Sequence, residues 1–161
     1  MNKKYKKIII LMVLFVAIAG FCLAPASATK TSYYSVKIDN QKYYGIYTWS
    51  NTASKKVILY TYNKQGINTY KYKTIDKKSK NVQYKTQFTS HGNFYDKNII
   101  TKAKIKYKKY NPKTGKYLNK YSYKTVKGKS YINSGGNTIS YTSKKNWVPV
   151  SSTVYIKNIK S

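Results

Sequence analysis

Through much of the chain, apolar and polar residues alternate one for one. In Val82-Gln83-Tyr84-Lys85-Thr86-Gln87-Phe88 every second residue is apolar or threonine and the others are polar. The same period of two runs through Ile58-Tyr60-Tyr62, Tyr70-Tyr72-Thr74, Tyr121-Tyr123-Thr125 and Val148-Val150-Ser152-Val154-Ile156. Strict alternation marks a strand with one face buried and one face wet, and Tyr, Val, Ile and Thr are the residues that strands favour. About ten strands are predicted, near 33–39, 42–49, 56–62, 67–75, 82–88, 98–110, 116–126, 130–133, 137–142 and 147–159. Between them lie Asn63-Lys64-Gln65-Gly66 and Asn111-Pro112-Lys113-Thr114-Gly115, each opening on Asn and closing on a Gly suited to positive φ. Ser90 to Lys97 is the longest irregular stretch. Pro149 within the last run suggests an edge or a bulge there. The expected fold is all-β: a single antiparallel β-sandwich or barrel-like domain of short strands.

One segment breaks the pattern. Met1 to Lys7 carries four lysines, Ile8 to Leu23 is unbroken apolar chain, and Ala24-Pro25-Ala26-Ser27-Ala28 follows. A positive head, an apolar middle and a small-x-small end form a secretory signal helix, with cleavage expected after Ala28. An uncleaved N-terminal anchor is the alternative, although the run is short of the ~20 apolar residues a span prefers. The chain therefore divides into a leader at 1–28 and a basic Tyr/Lys-rich domain at 29–161, secreted or associated with the cell envelope. The single cysteine, Cys22, leaves with the leader, so the domain must fold without disulfides.

Composition complicates the picture. Without its four leader lysines the chain keeps 28 lysines against Asp39, Asp76 and Asp96, with no Arg and no Glu. Leu, Ile, Val and Phe number only 23 in the domain, a poverty that with high charge ordinarily signals disorder. Nineteen tyrosines, Trp49 and Trp147 offset it, and at least half of those tyrosines are expected to fill the core in place of leucine. An echo, Tyr62-Asn63-x-x-Gly66 leading to Tyr70-Lys71-Tyr72-Lys73-Thr74 and Tyr110-Asn111-x-x-x-Gly115 leading to Tyr121-Ser122-Tyr123-Lys124-Thr125, reads as two similar hairpins.

Catalytic chemistry finds little to work with. Acid–base catalysis needs a placed carboxylate or histidine, and the domain offers three scattered aspartates and His91. His91 and Asp96 share one loop, where a hydrolytic relay with Ser90 is conceivable. No cluster has the ligands of a metal site. Gly128-Lys129-Ser130 resembles the end of a phosphate loop, but Tyr123 stands where the fingerprint needs Gly. No cofactor is expected.

What remains is charge in a pattern. On the strand predicted at 98–110, Lys102, Lys104, Lys106 and Lys108 fall on one face, and Thr101, Ala103, Ile105 and Tyr107 on the other. Four like charges in a row, in a chain nearly free of acids, suggest a polyanion-binding surface. Tyr70, Tyr72, Tyr121 and Tyr123 are the candidates for stacking on sugar rings or bases. Lysine is a hydrated point charge and a poor reader of bases, so sequence-specific DNA recognition is disfavoured. The expectation is a non-enzymatic exported protein whose partner is an anionic cell-surface polymer or acidic polysaccharide. Non-specific nucleic acid and an anionic membrane surface are further partner classes. The alternatives are a cationic toxin or antimicrobial protein acting on anionic membranes, or an enzyme with an unrecognised site.

Overall fold

The computed structural model describes residues 28–39, 43–61, 64–93, 95–128 and 135–161. The expected leader and the short strand expected at 130–133 lie outside them. Among the described residues nine strands form: β1 (Lys30–Asp39), β2 (Tyr43–Ser50), β3 (Ser54–Thr61), β4 (Ile67–Asp76), β5 (Val82–Ser90), β6 (Asp96–Asn111), β7 (Lys116–Lys127), β8 (Thr138–Thr142) and β9 (Trp147–Lys160). They make two antiparallel sheets, ordered β1-β9-β6-β7 and β2-β3-β4-β5-β8. Neither sheet closes on itself, so the barrel-like alternative is not realised. The chain passes from one sheet to the other after β1, β5, β7 and β8.

The core lies between the sheets. The first contributes Val36 and Ile38 from β1, Ile100, Ala103, Ile105 and Tyr107 from β6, and Val154 and Ile156 from β9. The second answers with Ile67, Phe88 and Ile139. A smaller cluster joins Val82 and Tyr84 to Val148. This core is aliphatic, which corrects one expectation: of the described tyrosines only Tyr84 and Tyr107 are buried. Tyr70 and Tyr72 are half-buried on the outward side while Ile67, Thr69 and Lys71 face in, and Tyr121 and Tyr123 are exposed. A phenol is content at a wet surface, whereas isoleucine gains about 1.5–3 kcal/mol by leaving water, so the few aliphatics take the interior.

Two turns follow their sequences. Gln65 and Gly66 both adopt positive φ in the tight β3–β4 turn, as a two-residue hairpin connection requires. In the β6–β7 turn the Gly115 N–H donates to the Asn111 carbonyl (2.9 Å), with Gly115 at φ 70°. The two echoing segments are thus both hairpins, one in each sheet. Pro149 pairs with Tyr107 beside a bulge, on a stretch of β9 that β1 does not reach. There its missing N–H leaves no gap in a ladder.

The feature that most affects the surface is a second bulge. Ile100 pairs with Ile156 and Lys102 with Tyr155, leaving Thr101 as one extra residue on β6. Thr101 is therefore exposed and donates its hydroxyl to the Tyr155 carbonyl (3.2 Å), rather than joining the inward row as its spacing predicts. Before the bulge the even-numbered Ile100 points inward; after it the odd-numbered Ala103, Ile105 and Tyr107 do. Since a one-residue slip exchanges the faces of a strand, this bulge turns Lys102 to Lys108 outward. Asn137 holds it. The Ile100 N–H donates to Asn137 Oδ1 (2.7 Å) and Asn137 Nδ2 donates to the Ile100 carbonyl (3.0 Å). The Asn137 backbone meanwhile bonds to Ser90 on β5, so one residue ties the two sheets together.

Candidate polyanion-binding face

The outer face of the four-stranded sheet carries the sequence-predicted lysines together. Lys102, Lys104, Lys106 and Lys108 follow one another along β6, with successive same-face residues about 6.6–6.8 Å apart by strand geometry. On β7 the partners of Lys102, Lys104, Lys106 and Lys108 are Lys127, Thr125, Tyr123 and Tyr121. On the other side Tyr155 of β9 lies opposite Lys102. Each ammonium rests over a ring. Lys102 Nζ is 4.7 Å from the centroid of Tyr155, Lys106 is 4.4 Å from Tyr121, and Lys108 is 5.4 Å from Tyr121 and 6.0 Å from Tyr117. Lys104 lies 5.9 Å from Tyr155 and Lys106 also 5.9 Å from Tyr123.

A cation over a phenol ring is held by the ring's negative face, worth about 0.5–1 kcal/mol at an exposed site. Unlike a carboxylate, the ring orders the ammonium without cancelling its charge. Neighbouring lysines in the row repel by roughly 0.6 kcal/mol per pair at the dielectric of water, and a bound anion relieves that repulsion. The two acids whose side chains are described are used elsewhere. Asp76 accepts the Ser79 N–H (2.7 Å) in the β4–β5 turn, a bond that lowers its pKa. Asp96 accepts from Asn158 at the end of the sandwich. Asp39 closes β1 opposite Ser151.

Of the predicted stacking residues the structure brings only two to this face. Tyr121 and Tyr123 stand among the lysines; Tyr70 and Tyr72 lie on the outer face of the other sheet. There their rings stack at 6.4 Å and Lys85 approaches Tyr72 at 5.6 Å. Sequence reasoning passed over Tyr117 and Tyr155, which complete the aromatic row, and Lys157, opposite the exposed Tyr33. The alternation Val154-Tyr155-Ile156-Lys157 places Tyr155 and Lys157 on a wet face, but only the pairing of β9 with β6 puts Tyr155 opposite Lys102.

The loop considered for catalysis is arranged differently. His91 Nε2 meets Asn68 Nδ2 at 2.9 Å, and Asp96 bonds to Asn158, so neither completes a relay with the other. No cluster of three or more His, Cys, Asp or Glu side chains occurs among the described residues. No protein-family model, curated protein or solved structure matches the chain.

Proposed function

We propose that the protein is an exported, non-enzymatic binding protein that holds an extended anionic polymer on the lysine–tyrosine face of β6, β7 and β9. A cell-surface polymer or acidic polysaccharide is the preferred partner. The observation that carries this reading is the row Lys102, Lys104, Lys106 and Lys108, each ordered over a tyrosine ring rather than neutralised by an acid. The row is regular, and its spacing matches a repeating chain of charges better than an isolated one. Between the ammoniums, Tyr117, Tyr121 and Tyr123 expose ring surface against which sugar units can stack. The absence of arginine favours recognition of charge density over recognition of sequence.

The test uses duplex DNA as a reference polyanion beside an acidic polysaccharide. Log affinity for the duplex falls with log salt by about 0.9 per phosphate neutralised, so four contacts give a slope of roughly −3 or steeper. Changing Lys102, Lys104, Lys106 and Lys108 together to Gln flattens the slope. A control with Lys30, Lys55, Lys78 and Lys145 changed to Gln removes equal charge from other exposed positions. Equal weakening in both variants, or no salt-dependent binding to either polymer, refutes the proposal.

A further inference from the structure

At the free edge of the sandwich, between β7 of one sheet and β8 of the other, lies a cleft of about 290 Å³ that shares only Tyr123 with the polymer face. Its size is at the small end of ligand sites, which run from ~300 to 1,000 Å³. Its aromatic walls are Tyr107, Tyr141 and Trp147, and Ser122, Lys124 and Lys144 add polar groups. The Tyr107 and Tyr141 rings are 6.3 Å apart and inclined at 57°. Lys124 Nζ stands 5.1 Å from the Tyr141 centroid, and Lys109 stands 5.1 Å from Trp147. The Tyr107 and Ser143 side chains are only 3% exposed, and the Tyr107 hydroxyl makes no well-formed hydrogen bond, its near polar neighbour being the Thr86 side chain. Burial pushes this phenol well above its ordinary pKa, so it remains a donor throughout the neutral range.

We infer that this cleft binds a single acidic sugar unit, its carboxylate held by Lys124 and Lys144 and its ring held against Tyr141 and Trp147. Three features select that class. The two ammoniums meet no carboxylate in the lining, so the occupant carries negative charge. The inclined rings leave no parallel slot for a flat base, whereas the apolar C–H faces of a sugar pack against inclined aromatic walls. Finally, the exposed Ser122 hydroxyl and the buried Tyr107 hydroxyl supply polar groups at the rim and floor of the cleft, and a buried phenol without a well-formed hydrogen bond gains one on binding. The site goes beyond the polymer face. Its β7 residues Ser122 and Lys124 lie on the opposite side of that strand from the lysine row, with Tyr123 at the boundary, and its occupant is one unit rather than a chain.

Trp147 reports on it directly. In Trp49→Phe, Trp147 is the one tryptophan left in the chain. Titration with glucuronic acid is expected to change its fluorescence saturably, with millimolar or tighter affinity. Glucose is expected to bind at least about tenfold more weakly, equivalent to ~1.4 kcal/mol. Lys124→Gln, at an exposed position, weakens glucuronic acid about tenfold with unchanged thermal melting, and Tyr141→Leu, at a ring that also packs on the core, weakens it about tenfold in the folded protein. Substitution of the four β6 lysines leaves this titration within about twofold of the parent, whatever it does to polymer binding. No saturable change at tens of millimolar, an equal response to glucose or to sodium sulfate, or loss of the response in the β6 variant would each overturn the assignment.

Discussion

Replacing Asn137 by Ala is the sharpest test of how the lysine face is built. The substitution removes the acceptor of the Ile100 N–H and the donor to the Ile100 carbonyl, at a buried residue only 8% exposed. It also removes the acceptor that Asn137 Oδ1 offers the Ser90 hydroxyl at 3.1 Å. A buried backbone group left without a partner costs about 1–3 kcal/mol, so the two groups on Ile100 give roughly 2–6 kcal/mol, and ~3 is a conservative value within that range. Typical domains lose about 5–15 kcal/mol on unfolding, so this is a large fraction. With a urea dependence of about 2 kcal/mol/M, the unfolding midpoint falls by roughly 1.5 M. The assay is equilibrium urea unfolding followed by far-ultraviolet circular dichroism. Asn119→Ala on exposed β7 serves as the control, expected within about 0.5 kcal/mol of the parent. A midpoint shift for Asn137→Ala no larger than the control's, at unchanged slope, would refute the claim that this side chain secures the bulge.

Three further expectations concern other parts of the chain. Gly128→Ala should destabilise by about 2 kcal/mol or more in the same unfolding assay, because a Cβ there would sit 2.0 Å from the Ile100 carbonyl oxygen; parent-like stability would mean the approach is looser than it looks. Lys71 faces inward on β4, reaches the Pro149 carbonyl, and has its pKa lowered by burial from 10.5 to about 8. The folded state therefore gives up this proton before the unfolded state does, and Lys71 contributes stability that grows as pH rises from about 8 to 10.5. Lys71→Met should be more stable than the parent at pH 7 by thermal melting, with the gap shrinking across that window; a constant gap would refute the burial argument. Export should yield a chain beginning within a residue or two of Thr29, as read by N-terminal sequencing, and a mature chain starting at Met1 in the membrane fraction would identify the segment as an anchor.

The strands were legible in the sequence because alternation is a direct trace of a two-sided sheet. Val82 to Phe88 behaves as its pattern says, with Val82, Tyr84, Thr86 and Phe88 all buried. The outward row of β6 was also readable from Lys102 to Lys108. It failed only at Thr101, because the bulge is specified by Asn137 and Gly128, far along the chain from the residue they displace. Alternation gives two faces but does not say which is wet when both carry large side chains. Hence Tyr70-Lys71-Tyr72-Lys73 did not say whether tyrosine or lysine faces the core, and the fold put Lys71 inside because Ile67 and Thr69 fix the register. The sorting of Tyr121 and Tyr70 onto different sheets, and the cleft between Lys124 and Trp147, depend on which strands become neighbours. Nothing local encodes that.

Strand β7 is open to solvent along nearly its whole length and, among the described residues, has a strand on one side only. Its uncovered N–H and C=O groups are a template on which a second copy could pair, the usual start of edge-to-edge aggregation. Lys116, Lys120, Lys124 and Lys127 on that strand, in a chain of such positive charge, make two copies repel before their edges meet. That guard depends on the solvent. The distance over which charges are felt shrinks from about 8 Å at physiological ionic strength to ~3 Å in molar salt. The protein is thus a colloid kept apart by its own counterion cloud, and concentrated salt or a bound polyanion lowers the same barrier. A polymer that neutralises many copies at once would gather them edge to edge, so the state most prone to assembly is the state in which the protein is bound.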